Sequence, residues 1–205
     1  MSRINENLTE DIRGYFGATG SGKTYRIKKD LGSAPRVLVY DIKGTFGPSN
    51  GFEAFTDRGA FLNAVRSSNQ ARYSFHDPSC HYFDWFCELA RHQADARRMT
   101  EIVIDELGPV STPGKAQGHW HWLISIGRTY GIKIKAGAQR PSEIDKTLMG
   151  NLNGMFVGRV QRDKDAAYLS AETGIPQMDI LNLRGAPHYE HFLWAGRGRY
   201  KKAGK

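Results

Sequence analysis

The sequence predicts an α/β domain in which a mainly parallel central sheet lies between helical layers, organised around a phosphate-binding loop. Three observations carry this expectation. Gly17-Ala-Thr-Gly20-Ser-Gly22-Lys23-Thr24 joins a short apolar run to a helix-forming stretch. Glu101-Ile-Val-Ile-Asp105-Glu106 is an apolar run ending in two acids. Short apolar runs also alternate with helix-forming segments along the chain, the order that builds parallel sheets.

The polar stretch 1–11 reads as an N-terminal arm, 12–195 as the domain, and 196–205 as a basic tail. A first strand ends at Phe16, and the loop that follows wraps its backbone N–H groups around a polyphosphate. Gly17 and Gly22 permit backbone angles and a closeness that side chains would block, and Gly20 loosens the loop further. Lys23 reaches the β and γ phosphates, while the Thr24 hydroxyl is placed to ligate Mg²⁺. The nucleotide-binding set is Gly17, Ala18, Thr19, Gly20, Ser21, Gly22, Lys23, Thr24 and Tyr25. A helix over 24–31 ends at Gly32.

Arg36-Val-Leu-Val-Tyr-Asp41, bounded by Pro35 and Gly44, predicts a buried parallel strand. Asp41 reads as a turn cap, with Asp41 or Lys43 as a possible nucleotide contact. Residues 44–58 read as an extended loop, followed by helix 57–68, strand 71–75 and an aromatic-rich helix over 80–98. The strand over 101–104 then presents Asp105, placed to hold Mg²⁺ opposite Thr24, and Glu106, placed to activate water for attack on a γ-phosphate.

A helix over 119–130 closes at Gly131, and the next strand, 132–138, delivers Gln139, whose amide can report a γ-phosphate. Pro141 starts a helix continuing to Leu148. A strand at 154–159, a helix over 163–173 and a final strand at 188–194, antiparallel at the sheet edge, complete the domain. The last nine residues hold five positive charges and read as a mobile tail.

Lys and Arg outnumber Asp and Glu by 29 to 21, a net charge of +8 that favours a polyanionic partner beyond the nucleotide. No apolar run approaches the roughly 18 residues of a membrane span, so a soluble protein is expected. Two cysteines exclude a disulfide-built scaffold.

The loop at 17–24, Val103-Ile-Asp105-Glu106, the Gly127-Arg128-x-x-Gly131-Ile132 turn and Ala138-Gln139-Arg140-Pro141-Ser142-Glu143-Ile144 together resemble the FtsK/HerA superfamily of DNA-pumping ATPases. The small size is most similar to its viral branch, the genome-packaging ATPases of icosahedral viruses with an internal membrane or double-jelly-roll capsid. The likeness covers about residues 12–160, and the Gln-Arg-Pro segment is its most discriminating part. It implies a RecA-like (ASCE) P-loop NTPase, three-layer α/β/α, with the sensor strand between the phosphate-loop strand and the Asp-Glu strand. It further implies ATP and Mg²⁺ at the interfaces of a ring, usually a hexamer, around sequence-independent, double-stranded DNA.

In that likeness Lys23 and Thr24 match the phosphate and metal contacts, Asp105 the metal-site acid, Glu106 the catalytic base and Gln139 the sensor. Arg128 is the first candidate for an arginine supplied in trans, with Arg159 and Arg140 behind it. Capsid vertex or packaging proteins are the implied further partners, in host cytoplasm or at a virion vertex. The alternatives are an assembly ATPase like those of filamentous phages, or a small P-loop kinase.

Overall fold

A computed structural model of the chain describes residues 3–68 and 70–204. Met1 and Ser2 of the arm and Lys205 of the tail lie outside the described residues. In chain order the elements are β1 (Ile12–Phe16), α1 (Lys23–Leu31), β2 (Arg36–Asp41), β3 (Glu53–Phe55), α2 (Arg58–Ser67) and β4 (Ala71–His76). They continue with α3 (Phe83–His92), β5 (Thr100–Ile104), α4 (Gly118–Ser125), β6 (Ile132–Ala138), α5 (Lys146–Asn151) and β7 (Gly154–Gly158). Then follow α6 (Asp163–Thr173), α7 (Gln177–Leu181), β8 (His191–Trp194) and β9 (Tyr200–Ala203).

One nine-stranded sheet has the order β3-β4-β2-β5-β6-β1-β7-β8-β9. The seven strands from β3 to β7 in that order pair in parallel, and β8 and β9 are antiparallel to their neighbours. As expected, β6 lies between β1 and β5. Register aligns the strand ends that matter. Phe16 pairs with Ala138, Ile104 with Ala136 and Tyr40 with Ile104, so Gly17, Gln139, Asp105 and Asp41 all emerge at one edge.

Alternation in β2 shows how the faces are filled. Val37 and Val39 point to a smaller cluster with Ile27 and Leu31 of α1, whereas Leu38 and Tyr40 point to a larger one. That larger cluster takes in Phe61 and Val65 of α2, Phe86 and Leu89 of α3, Leu123 of α4, Leu148 of α5 and Leu169 of α6. The result is a three-layer α/β/α arrangement, with α1 on one face and the other helices on the opposite one.

Several local expectations are corrected. The 44–58 loop contains a 3₁₀ turn at Pro48–Asn50 and the edge strand β3. The helix expected over 80–98 is confined to Phe83–His92; Asp77 ends the preceding strand region by accepting Ser79 N–H and Tyr82 N–H before α3 begins. The segment after Pro141 is a 3₁₀ turn, and the α-helix begins only at Lys146, capped by Asp145, which accepts Leu148 N–H at 2.7 Å. The basic tail is not a free extension: residues 200–203 pair with β8 as strand β9. Backbone pairing explains the difference, since ladder hydrogen bonds leave the exposed Lys201 and Lys202 side chains in solvent.

Candidate nucleotide and catalytic site

The loop between β1 and α1 is shaped by its glycines. Gly17, Gly20 and Gly22 have φ of 147°, 75° and 93°, and a Cβ on Gly17 would lie 2.7 Å from Ser21 Oγ and 3.1 Å from the Arg159 carbonyl. Backbone bonds tie the loop down. Ala18 N–H donates to the Arg159 carbonyl at 2.7 Å and Gly17 N–H to the Ala138 carbonyl at 3.3 Å, so β7 and β6 both set its position. Gly22 starts α1 in a left-handed conformation without a side-chain cap among the described residues, leaving the first-turn amides free for an anion.

Lys23 is buried and donates to the carbonyls of Gly17 at 2.6 Å and Ala18 at 3.1 Å. Burial lowers its pKa, opposed in part by Glu106 and Asp105. Thr24 Oγ1 donates to Asp105 Oδ1 at 2.9 Å, which brings together residues 81 positions apart. The other oxygen of Asp105 accepts from Thr45 Oγ1 at 3.3 Å. Asp105 is 1% exposed, and burial above all raises its pKa. Ser21 Oγ is buried without a hydrogen-bond partner among the described residues.

Glu106 is the hub of the second half. Its Oε1 accepts Gln139 N–H at 3.0 Å, and its Oε2 accepts from Gln139 Nε2 at 2.9 Å and from Lys43 Nζ at 2.6 Å. Gln139 Oε1 in turn accepts from Thr19 Oγ1 at 2.9 Å. A continuous chain of side chains therefore runs Thr19, Gln139, Glu106, Lys43, from the phosphate loop to the end of β2. Of the earlier alternatives for the β2 end, Asp41 caps the loop, accepting Phe46 N–H at 2.8 Å, and Lys43 enters the site.

These residues fit a nucleoside triphosphate and its metal. The loop presents a glycine-lined cradle at a helix N-terminus, and a hydroxyl and a carboxylate of the kind that hold Mg²⁺ meet directly beside it. Sequence reasoning missed Thr45, whose approach to Asp105 depends on how the loop after β2 folds back. Arg128 stands apart. It lies in the 3₁₀ turn before β6, at the opposite edge of the sheet, and its Nη1 donates to the carbonyls of Glu6 and Leu8 of the arm.

The mainly parallel sheet with a phosphate loop between β1 and α1 has the fold of P-loop NTPases. No protein-family model matches the chain. Protein P9 of Pseudoalteromonas phage PM2 is 27% identical over 188 residues, spanning 89% of this chain and 84% of that protein. Among solved structures, the genome packaging NTPase B204 from Sulfolobus turreted icosahedral virus 2, in complex with AMPPCP, matches with a TM-score of 0.74. That match covers 94% of this chain and 96% of B204 at 14% identity, a likeness of fold. The N-terminal domain of zonular occludens toxin from Neisseria meningitidis matches at TM-score 0.53 and 15% identity, over 96% of this chain and 93% of that one. The P-loop NTPase sheet implied by the sequence motifs is thus met by the structure. Among the described residues no helix is long and apolar enough to cross a membrane.

Proposed function

We propose that the protein is a Mg²⁺-dependent ATPase that assembles into a ring, with a hexamer as the expected form, and drives double-stranded DNA into a viral capsid. The observation that carries this reading is the meeting of Thr24 with Asp105 and of Glu106 with Gln139 beside the phosphate loop. The B204 fold match and the similarity to the phage protein P9 support the viral setting.

In this reading Lys23 and the amides that open α1 hold the β and γ phosphates. Thr24 and Asp105 would hold Mg²⁺, which when bound would neutralise negative charge on the phosphates. Glu106 takes a proton from the attacking water as its oxygen bonds to the γ-phosphorus and the bond to the β–γ bridging oxygen breaks, leaving ADP and phosphate. Gln139 touches both Glu106 and Thr19, so it is placed to carry the state of the γ-phosphate site to the rest of the subunit. Arg128 is the proposed arginine supplied to a neighbour's site, and the exposed Lys115, Arg162 and Lys164 the proposed grip on the DNA backbone.

The test is ATP hydrolysis against protein concentration, with and without long double-stranded DNA. The rate per subunit should rise with concentration and with DNA, and Glu106→Gln should lower it by about 10²–10⁴-fold. Mixing inactive Glu106→Gln with inactive Arg128→Ala subunits should restore part of the activity, because one subunit type supplies an intact arginine to the other's intact site. A rate first order in protein, indifferent to DNA and unrescued by mixing would overturn the ring motor.

A further inference from the structure

Beside the phosphate loop a cavity of about 560 Å³ extends away from Thr24 toward β8. Its volume lies within the roughly 300–1,000 Å³ usual for small-molecule sites, so there is room beyond the phosphates. Tyr25, Phe156, Tyr189 and His191 line the extension, beside Arg26 and Lys29. Phe156 and His191 stack at 4.6 Å between centroids with 30° between planes, forming a ready-made wall.

Tyr189 is the unusual member. Its φ is 45°, a left-handed conformation that a bulky residue adopts only when its surroundings impose it. The turn before β8 does so. The Gly185 carbonyl accepts both His188 N–H and Tyr189 N–H at 2.9 Å, and Glu190 N–H donates to the Arg184 carbonyl at 2.9 Å. Arg184 closes the same turn by pairing with the Glu190 carboxylate at 2.8 Å. His191 Nδ1 contacts the Tyr189 carbonyl at 2.8 Å, linking the strained residue to the aromatic wall. The outcome is a phenol ring held over the phosphate loop, with its Cδ1 3.6 Å from the position a Cβ on Gly22 would occupy.

We propose that Tyr189 is the base-stacking residue of the site, and that the turn before β8 makes nucleobase recognition depend on ring area, with little discrimination among hydrogen-bonding edges. The proposal rests on the nucleotide reading above and deepens it. A stacking platform accepts any π face, so ATP and GTP should bind within a few-fold of each other. CTP and UTP, with smaller rings, should bind more weakly, and inorganic tripolyphosphate, with no ring, most weakly of all.

The experiment is titration of the full chain with ATP, GTP, CTP and tripolyphosphate, comparing wild type with Tyr189→Asn, Tyr189→Phe and Lys23→Ala. Asn tolerates a left-handed backbone, so Tyr189→Asn removes the ring while preserving the turn. It should weaken ATP by about tenfold and leave tripolyphosphate unchanged, whereas Tyr189→Phe should match wild type. Equal loss of ATP and tripolyphosphate in Tyr189→Asn, or wild type binding both equally well, would overturn base stacking and leave the phosphate site standing. If Lys23→Ala weakens neither ligand, the phosphate-loop reading itself falls, and base stacking with it.

Discussion

The two edges of the parallel sheet differ in what their polar contacts join. At the edge where the strands end, side chains bond to side chains: Thr24 and Thr45 to Asp105, Lys43 and Gln139 to Glu106, Thr19 to Gln139. At the edge where they begin, Arg13 pairs with Asp11 and Arg97 with Asp95, and the remaining contacts run from side chains to the backbone of the arm and its surroundings. Arg3 donates to the carbonyls of His92 and Ala94, Arg128 to those of Glu6 and Leu8, and Asn153 accepts Ile12 N–H at 3.1 Å and donates to the Glu10 carbonyl. Backbone partners staple segments in place. Side-chain partners can rotate, exchange and change charge, so the first edge is equipped to respond to a ligand and the second to hold the arm against the domain.

A first effect comes from disturbing the responsive edge at a residue that carries no chemistry. Gly137 lies in β6, where a Cβ would come 2.5 Å from the Asp105 carbonyl oxygen and within 3.5 Å of Ile27. The Asp105 carbonyl follows directly on β5 and is the clashing neighbour, so Gly137→Ala must part the ends of β5 and β6. Overpacking of this kind costs about 1–3 kcal/mol or more, and an ångström of displacement costs about 100-fold in rate. Hydrolysis should therefore fall at least that far, with a lower Tm. Retained activity would show that the edge tolerates slack.

The next effect separates stability from function. Burial raises the Asp105 pKa, so the folded chain holds that proton more tightly than the unfolded chain does. Its contribution is fully present below the ordinary carboxylate value, about 4, and is lost as pH rises through the raised folded value. Asp105→Asn escapes that loss while keeping an oxygen for Thr24. At neutral pH the variant should be more stable, with a higher Tm, and the gain should vanish near pH 3 while hydrolysis is lost at every pH. A variant less stable at neutral pH would show that the ionised carboxylate is net stabilising there.

Legibility in the sequence followed the same division. The phosphate loop, the Asp105–Glu106 strand end and Gln139 were readable because each pairs a residue type with a fixed offset from a strand end, and register does the rest. The placement of β6 between β1 and β5 came from the resemblance those motifs carry. Contacts set by loops folding back were not readable: Thr45 at Asp105, Lys43 at Glu106, and the left-handed Tyr189 over Gly22. Composition misled at the C-terminus, where exposed lysines on an edge strand look the same in sequence as a solvated tail. It was also silent on the arm, because a side chain that bonds to backbone carbonyls leaves no partner residue type to search for.

Arg128 is where the two edges can be told apart most finely. On the geometry of a single chain it is a staple, and removing it should cost no more than its hydrogen bonds to the arm, about 1 kcal/mol and about 2–4 °C in Tm. Deleting residues 1–8 removes those contacts from the other side, together with the Arg3 bonds to His92 and Ala94 and the backbone bonds of Arg3 to Ala96 and of Asn5 to Thr129. If stapling is its whole role, the deletion should lower Tm further than Arg128→Ala, both should lower hydrolysis little, and adding Arg128→Ala to the deletion should change nothing more, since its partners are already gone. A role in a neighbour's site breaks that pattern: Arg128→Ala alone would then lose about three to five orders of magnitude in rate, while the deletion keeps it. Releasing the arm would in that case free the guanidinium to reach across, so the deletion should hydrolyse ATP at least as fast as the intact chain.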